Sequence, residues 1–299
     1  MKSTLCAICG TYGEAHVVYE ANFKPVDVNP ATFSARRLPD RIHYRMVSCV
    51  RCGLLRSDPV LEEHELKALY EKSVVTYESD YPGLIHTYTD AVREALKIRP
   101  LSNAILEIGC GDGFFLKEAI RIGFTEIKGV EPSFQAIERA DNAVQASIVQ
   151  GLYKKELFAP ATFDLACLFQ VIDHLPDPNE SLDALFYHLK PKGLILTISH
   201  DMGAMTNRLL KDRSPVIDIE HTYLFDKKTL SALLEKHGFE TIAFHACKNT
   251  HTLRHWCELM PLPRGIKIPL LKIIAGIKMS ELPIRLTAGN FICIAQKKS

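Results

Sequence analysis

Four cysteines form two matching short motifs near the start of the chain. Cys6 and Cys9 are separated by two residues, Cys49 and Cys52 repeat that spacing, and a glycine directly follows each pair. Paired thiolates at this spacing are typical of a tetrahedral zinc site, and the glycine lets backbone N–H groups turn towards the sulfurs. The pattern predicts a structural zinc ion in a ribbon-like module with a long insertion. Iron would use the same ligands, so the identity of the metal stays open.

A glycine-rich stretch lies further along the chain. Gly109, Gly111 and Gly113 follow an apolar run and precede a run with helical periodicity, which predicts a strand, a tight loop and a helix. Glycine lets the backbone approach a ligand because no Cβ stands in the way. Glu131 ends the next predicted strand, where a carboxylate can hold ribose hydroxyls. Glu107 would repel a pyrophosphate at this loop and favours a cationic nucleoside as the cofactor.

Side chains that can handle protons cluster in two places. His174 follows a predicted strand, and Glu220, His221 and Tyr223 lie within four residues ahead of a helix. Histidine titrates near neutrality and a neighbouring carboxylate can orient it, so these residues are candidates for acid–base chemistry on an acceptor. The same residues are equally suited to cap or pack against the helices that follow them. The sequence leaves both interpretations open.

The elements that must position these residues alternate between strands and helices, as in a doubly wound parallel sheet. The predicted strands are 104–108, 126–130, 146–149, 163–169 and 193–199, and the predicted helices are 114–122, 133–143 and 177–189. Ligands of such sheets bind beyond the carboxyl ends of the strands. We therefore expect Gln170, His174 and His200 near the glycine loop.

Together these motifs resemble class I S-adenosylmethionine-dependent methyltransferases. The stretch 107–113 is similar to their first motif, 129–133 to their ribose-binding motif, and the segment containing Asp173 and His174 to their fourth-strand motif. The resemblance covers roughly residues 80 to 245. It implies an α/β, Rossmann-like, seven-stranded, mostly parallel sheet with an antiparallel last strand. It also implies S-adenosylmethionine as the cofactor, with contacts from Glu107, Gly109, Cys110, Gly111, Gly113, Glu131, Pro132 and Gln170.

The cysteine motifs ahead of such a domain also resemble the zinc-binding module of sugar C-methyltransferases, which act on nucleotide-linked deoxy-keto sugars. Those enzymes similarly use a Glu-His pair, so the resemblance implies that Glu220 and His221 touch the acceptor. We expect a zinc-binding module over 1–72 and a methyltransferase domain over 73–299. An insertion at about 247–289 is expected between the last two predicted strands, 239–246 and 291–296.

The expected function is methyl transfer from S-adenosylmethionine to a small-molecule acceptor, with a sugar or nucleotide sugar as the favoured class. Its predicted catalytic residues are His174, Glu220, His221 and Tyr223, and its predicted zinc ligands are Cys6, Cys9, Cys49 and Cys52. Two alternatives remain open at this point. One is an RNA-base methyltransferase that binds RNA through the zinc module, and the other is a non-catalytic protein that binds the cofactor as a partner.

Composition limits the partners of the chain. The 36 basic and 35 acidic residues give a formal net charge of +1, which makes nucleic acid an unlikely partner. The chain shows no secretory signal and no apolar stretch long enough for a membrane span, so we expect a cytoplasmic protein with reduced thiols. The stretch 261–279 combines apolar residues with only basic charges, which suits peripheral contact with anionic lipid or an extra packed helix. The oligomeric state is not predicted.

Overall fold

The chain opens with short strands that lead into two helices. The structure is a computed structural model that describes residues 1–33, 41–73, 81–100, 103–260 and 262–298. Its first elements are β1 (Ala15–Tyr19), β2 (Met46–Cys49), β3 (Leu55–Ser57), α1 (Glu63–Glu71) and α2 (Tyr81–Ile98).

A regular alternation of strands and helices follows. These elements are β4 (Ala104–Ile108), α3 (Phe114–Arg121), β5 (Glu126–Glu131), α4 (Phe134–Glu138), α5 (Asn142–Gln145), β6 (Ile148–Gln150), β7 (Phe163–Phe169), α6 (Pro178–His188), β8 (Leu189–His200) and α7 (Met205–Leu210). The chain continues with β9 (Tyr223–Leu224), α8 (Lys227–Lys236), β10 (Phe239–Thr252), α9 (Leu253–Leu259), α10 (Arg264–Gly276) and β11 (Pro283–Lys297).

Seven of these strands form one sheet in the order β10-β11-β8-β7-β4-β5-β6. The five strands from β8 to β6 are parallel, whereas β11 runs antiparallel to both β8 and β10. The predicted α/β fold with an antiparallel last strand is therefore confirmed. Because β4 lies between β5 and β7, the carboxyl ends of these strands meet at one edge of the sheet.

The central strands are buried on both faces. All residues of β4 and β7 are buried, as expected for parallel strands that are covered by helices on either side. Leu106 packs in a cluster that includes side chains of α6 and α8, and Ile105 packs in a second cluster with side chains of α2 and α3. The core thereby fixes the strand ends that carry the candidate site.

Several predicted elements differ from the structure in their bounds. The helix predicted over 133–143 is two short helices, because Asp141 accepts a hydrogen bond from the N–H of Ala143 and begins a new helix there. The last two strands are longer than predicted. Beyond a register shift, Lys248 to Thr252 pair with Thr287 to Pro283, so the hairpin extends into both ends of the predicted insertion.

The N-terminal strands share a sheet with the rest of the chain. This second sheet has the order β1-β2-β3-β9, and Leu55 of β3 lies opposite Leu224 of β9. Cys6 and Cys49 belong to the same buried cluster as Phe225, which lies in the predicted second domain. The division at residue 72 stays a prediction, but the two parts have a common core.

Helix α10 exposes several large apolar side chains. Ile274 is its buried residue, whereas Ile266 and Ile273 are 57% and 61% exposed. Ile277, the C-terminal cap of the helix, is 58% exposed. No helix in the described part of the chain has the length and apolar character needed to cross a membrane.

Candidate active site

The loop between β4 and α3 depends on its glycines. Gly109 and Gly111 have φ values of 69° and 59°, a left-handed conformation that a Cβ disfavours. A Cβ on Gly109 would also lie 2.6 Å from Cγ2 of Val171. The loop can therefore pass close to the end of β7 only with glycine at position 109.

Glu131 fixes this loop from the neighbouring strand. Its carboxylate accepts hydrogen bonds from the N–H of Gly111 at 2.9 Å and from the N–H of Ser133 at 2.8 Å. Gln170, at the end of β7, also takes a positive φ of 57°, and its N–H donates to the carbonyl of Ile198 at 2.7 Å. Both residues line the same cavity as the glycine loop.

The predicted cofactor residues fall into two groups. Those that line the cavity are Gly109, Gly111, Glu131, Pro132 and Gln170. The other three are Glu107, Cys110 and Gly113. Glu107 is 1% exposed within β4, the Cys110 thiol packs against Leu116, and Gly113 begins α3 in a left-handed conformation. This second group determines the shape of the loop.

The cavity has a volume of about 460 Å³, and its lining also includes Phe33 and Tyr70 of the N-terminal part. A second part of its lining, called the far half or acceptor half below, consists of polar and aromatic side chains. They come from the ends of β7 and β8, the segment before β9, the extended hairpin and α9, and include His174, His200, Glu220, His221, Asn249, Trp256 and Asn290.

Three histidines that line the cavity lie side by side. The ring centroid of His221 lies 4.6 Å from that of His174 and 4.9 Å from that of His200. Nδ1 of His221 lies 2.7 Å from the carbonyl of Val216, and Nδ1 of His200 lies 2.9 Å from Oδ1 of Asn290. Burial, together with the neighbouring His221, lowers the pKa of His200 to about 3, so this ring is neutral.

Asp173 lies directly behind these histidines. Its side chain is fully buried and accepts a hydrogen bond from the N–H of His200 at 3.3 Å. Burial raises the pKa of this carboxyl to about 7. Asp173, His200 and His221 can each offer a ligand atom within 4.8 Å of the others, which is a spacing that could accommodate a metal ion. Sequence reasoning did not group these three, because only the fold of the segment before β9 brings His221 to the sheet.

The segment that carries Glu220 and His221 is held from two directions. Ser57 donates its N–H to the carbonyl of Thr222 at 2.9 Å and its hydroxyl to the carbonyl of His221 at 2.7 Å. On the other side, the N–H of Thr222 donates to the carbonyl of Asp173 at 2.9 Å. Glu220 is 8% exposed and lines the cavity.

Tyr223 points away from the cavity. Its hydroxyl donates to the carbonyl of Leu5 at 3.2 Å, and its ring lies in the core that the N-terminal strands share with α8. Burial raises the pKa of this phenol. The structure thus places Tyr223 where it joins the two parts of the chain, and a role in proton transfer stays a prediction.

The four N-terminal cysteines converge as their spacing predicts. One ligand atom from each lies within 4.8 Å of the others, and the sulfurs of Cys6 and Cys52 are 3.4 Å apart. Although burial opposes it, the N–H groups of Cys52 and Arg51 lower the pKa of Cys49 to about 7. Four thiolates in this arrangement are a suitable donor set for tetrahedral zinc.

Comparisons with known proteins identify the larger part of the chain. Residues 77–243 match a family model described as a methyltransferase domain. The chain is 32% identical over 97 residues to a ubiquinone biosynthesis O-methyltransferase of Paraburkholderia phymatum, which is 30% of this chain and 41% of that protein. It is also 32% identical over 114 residues to the protein of the same name from Xylella fastidiosa, which covers 35% of this chain and 46% of the relative. The chain thus spans less than half the length of these relatives.

A solved structure shows the same fold. The crystal structure of a SAM-dependent methyltransferase from Archaeoglobus fulgidus aligns with a TM-score of 0.50 and 18% sequence identity, covering 74% of this chain and 98% of that chain. The family match extends over more than half of the chain. The chain therefore belongs to the methyltransferase-domain family, and it has the fold of S-adenosylmethionine-dependent methyltransferases.

Proposed function

We propose that this enzyme methylates a small molecule held in the far half of the cavity, and that a sugar or nucleotide sugar is the acceptor. One observation carries the proposal: one cavity is lined both by the glycine loop with Glu131 and by His174, Glu220 and His221. Methyl transfer is an in-line displacement at the sulfonium methyl, so an enzyme mainly aligns the two reactants in a site that excludes water.

In this proposal the near half of the cavity binds the cofactor. Gly109 and Gly111 let the backbone approach it, and Glu131 accepts hydrogen bonds from its ribose hydroxyls. Pro132 and Gln170 complete the walls of this half. Glu107, Cys110 and Gly113 act indirectly by holding the loop in shape.

The acceptor half is suited to an acceptor that loses a proton. Methylation of a hydroxyl or of an enolisable carbon releases one proton, and His174, Glu220 and His221 are among the groups lining the cavity that can take it. Asn249, Asn290 and Glu220 offer hydrogen bonds for the hydroxyls of a sugar. Glu220 and His221 are only 8% and 6% exposed, which favours a small acceptor over a base within RNA.

A hydroxylated, partly apolar ring is the second candidate acceptor. The observation that favours it is the apolar wall formed by Trp256, Leu259 and Met260. The relatives are O-methyltransferases named for ubiquinone biosynthesis. Oxygen is accordingly the acceptor atom that this candidate predicts.

We further propose that the four cysteines hold one zinc ion with a structural role. All four thiolates are occupied in a tetrahedral site, which leaves no position for a substrate. The turn after Cys49 leads directly into β3, which pairs with the segment before α8. Zinc would therefore stabilise the acceptor half indirectly, through β3. Measuring the zinc content of the purified chain tests whether the ion is present.

Helix α10 is proposed as a contact with an anionic membrane surface. Ile266, Ile273 and Ile277 are exposed on one side, and the four charged residues from 264 to 278 are all basic. Burial lowers the pKa of Lys267, and the positive charge of Arg41 lowers it further. Arg41 is therefore an additional cation near this helix. Exposed apolar side chains among basic ones are typical of helices that lie in the lipid interface.

An acceptor screen that measures release of S-adenosylhomocysteine tests the proposed function. We expect turnover with a sugar, a nucleotide sugar or a hydroxylated ring, and a fall in kcat of about 100-fold in Glu220→Gln or His174→Gln, because a positioned acid or base contributes about 10²–10⁴-fold. Glu240→Gln, at an exposed position that does not line the cavity, is the matched control and should stay within about threefold of wild type. Turnover on RNA alone, or full activity of Glu220→Gln, would contradict the proposal.

Replacing Gly109 tests the cofactor half. Gly109→Ala adds a Cβ that crowds Val171 at an unfavourable φ, so we expect S-adenosylmethionine to bind at least tenfold more weakly and the free energy of unfolding to fall by about 2 kcal/mol. Gly13→Ala is the control, because Gly13 has a φ of 72° with nothing within 4 Å of the added Cβ. It should lose only about 1 kcal/mol, with unchanged cofactor affinity in calorimetry. If both variants changed the S-adenosylmethionine affinity equally, the glycine loop would not be the cofactor-binding loop.

Sedimentation with lipid vesicles tests the membrane contact. We expect binding to vesicles that contain phosphatidylglycerol, weaker binding to pure phosphatidylcholine, and loss of binding as salt rises. Ile273→Ser combined with Ile277→Ser should abolish binding, whereas Val26→Ser combined with Ile120→Ser, at exposed sites elsewhere, should leave it unchanged. Binding that ignores lipid charge, or that survives the first pair, would refute this contact.

A further inference from the structure

We propose that Asp173, His200 and His221 bind one divalent metal ion at the acceptor half of the cavity, separate from the four-cysteine site. The inference rests on the proposed function, to which it adds a Lewis acid beside the acceptor. His200 and His221 line the cavity and Asp173 lies behind them, so an ion held there would be within reach of a bound acceptor.

The three side chains have the right chemistry and spacing for such an ion. Two imidazoles and one carboxylate are a donor set that binds divalent transition metals and leaves positions open for other ligands. Their ligand atoms already lie within 4.8 Å of one another. Atoms bonded to a common ion at about 2.1 Å lie roughly 3–3.5 Å apart, so a shift of about an ångström closes the site.

Each histidine is held in the form that a metal requires. The carbonyl of Val216 and the amide oxygen of Asn290 can only accept hydrogen bonds, so Nδ1 of His221 and Nδ1 of His200 carry the protons in these contacts. In a neutral ring the lone pair is then on Nε2. Metal-binding histidines almost always donate their other N–H to such an oxygen, which fixes both the tautomer and the orientation of the ring.

Asp173 supplies an independent observation. Its side chain is fully buried, and Oδ1 has no hydrogen-bond partner among the described residues, although Oδ2 accepts from the N–H of His200. A buried carboxylate oxygen without a partner is unfavourable, and buried charges in proteins are paired or coordinate metals. A cation between Asp173 and the two histidines would satisfy this oxygen.

The ion would assist the reaction by making the acceptor easier to deprotonate. A divalent metal lowers the pKa of a hydroxyl that it contacts. The O–H bond of the acceptor then breaks and its proton passes to His174, whose ring lies 4.6 Å from that of His221. The acceptor oxygen forms a bond with the methyl carbon, the carbon–sulfur bond breaks, and its electron pair remains on sulfur.

Electron paramagnetic resonance with Mn²⁺ tests the site in the purified, zinc-loaded full chain. Manganese is the probe because it is paramagnetic and favours oxygen ligands over thiolates. We expect about one bound Mn²⁺ per chain, and at least 100-fold weaker binding in both Asp173→Asn and His200→Asn. His174→Gln, which alters the neighbouring ring but no ligand, should bind Mn²⁺ like the wild type.

The controls separate this inference from the proposed function. Calorimetry should find unchanged S-adenosylmethionine affinity in both ligand variants, which also shows that they fold, and zinc should remain at about one per chain. Mn²⁺ binding that is absent from the wild type, or that persists in both ligand variants, overturns the metal site. Turnover without any bound metal would leave the methyltransferase proposal intact while this one fails. A wild-type chain that binds Mn²⁺ but no S-adenosylmethionine would contradict the methyltransferase proposal and support the metal site.

Discussion

The acceptor half of the cavity depends on hydrogen bonds made by four residues, 221–224. On one side, this segment pairs with β3 of the N-terminal sheet through the backbone and hydroxyl of Ser57. On the other side, the N–H groups of Thr222 and Tyr223 both donate to the carbonyl of Asp173. His221 faces the cavity only because the segment is held between these two partners.

This constraint makes the N-terminal module part of the proposed active site. Cys49 and Cys52 flank the turn between β2 and β3, so a zinc ion at the cysteines would stabilise the strand that positions His221. Further contacts support the same junction, including the bond from the ammonium of Lys236 to the carbonyl of Ala7 at 2.7 Å. A metal that never touches the substrate can therefore affect the acceptor site.

The two halves of the cavity differ in how far the sequence predicts them. The glycine loop depends on neighbouring residues: a strand, glycines that take positive φ and a helix start lie within about ten positions, and Glu131 follows at the end of the next strand. Such local patterns predicted β4, β7 and the order of the elements around them. The four-cysteine cluster was also predictable, because each of two short motifs brings a pair of metal-binding thiols together within four residues.

The acceptor half depends on contacts between residues that are distant in the chain. Ser57 and His221 are 164 residues apart, and β9 has only two residues, too few for a recognisable pattern. The grouping of Asp173 with His200 and His221, and the turn of Tyr223 into the core, both follow from that pairing. The break between α4 and α5 was missed for a different reason, since Asp141 also suits an exposed position within one helix.

The central claim is that strand β3 of the N-terminal sheet positions the acceptor residues without taking part in cofactor binding. Turnover and S-adenosylmethionine affinity, measured side by side on Ser57→Ala, test it most directly. Ser48→Ala is the control, because the Ser48 hydroxyl bonds to Gly53 at the surface of the same sheet. We predict that Ser57→Ala lowers turnover by about tenfold or more, since small misplacements of reacting groups are costly, while cofactor affinity stays within about twofold. Unchanged turnover, or a parallel loss of cofactor affinity, would contradict the account.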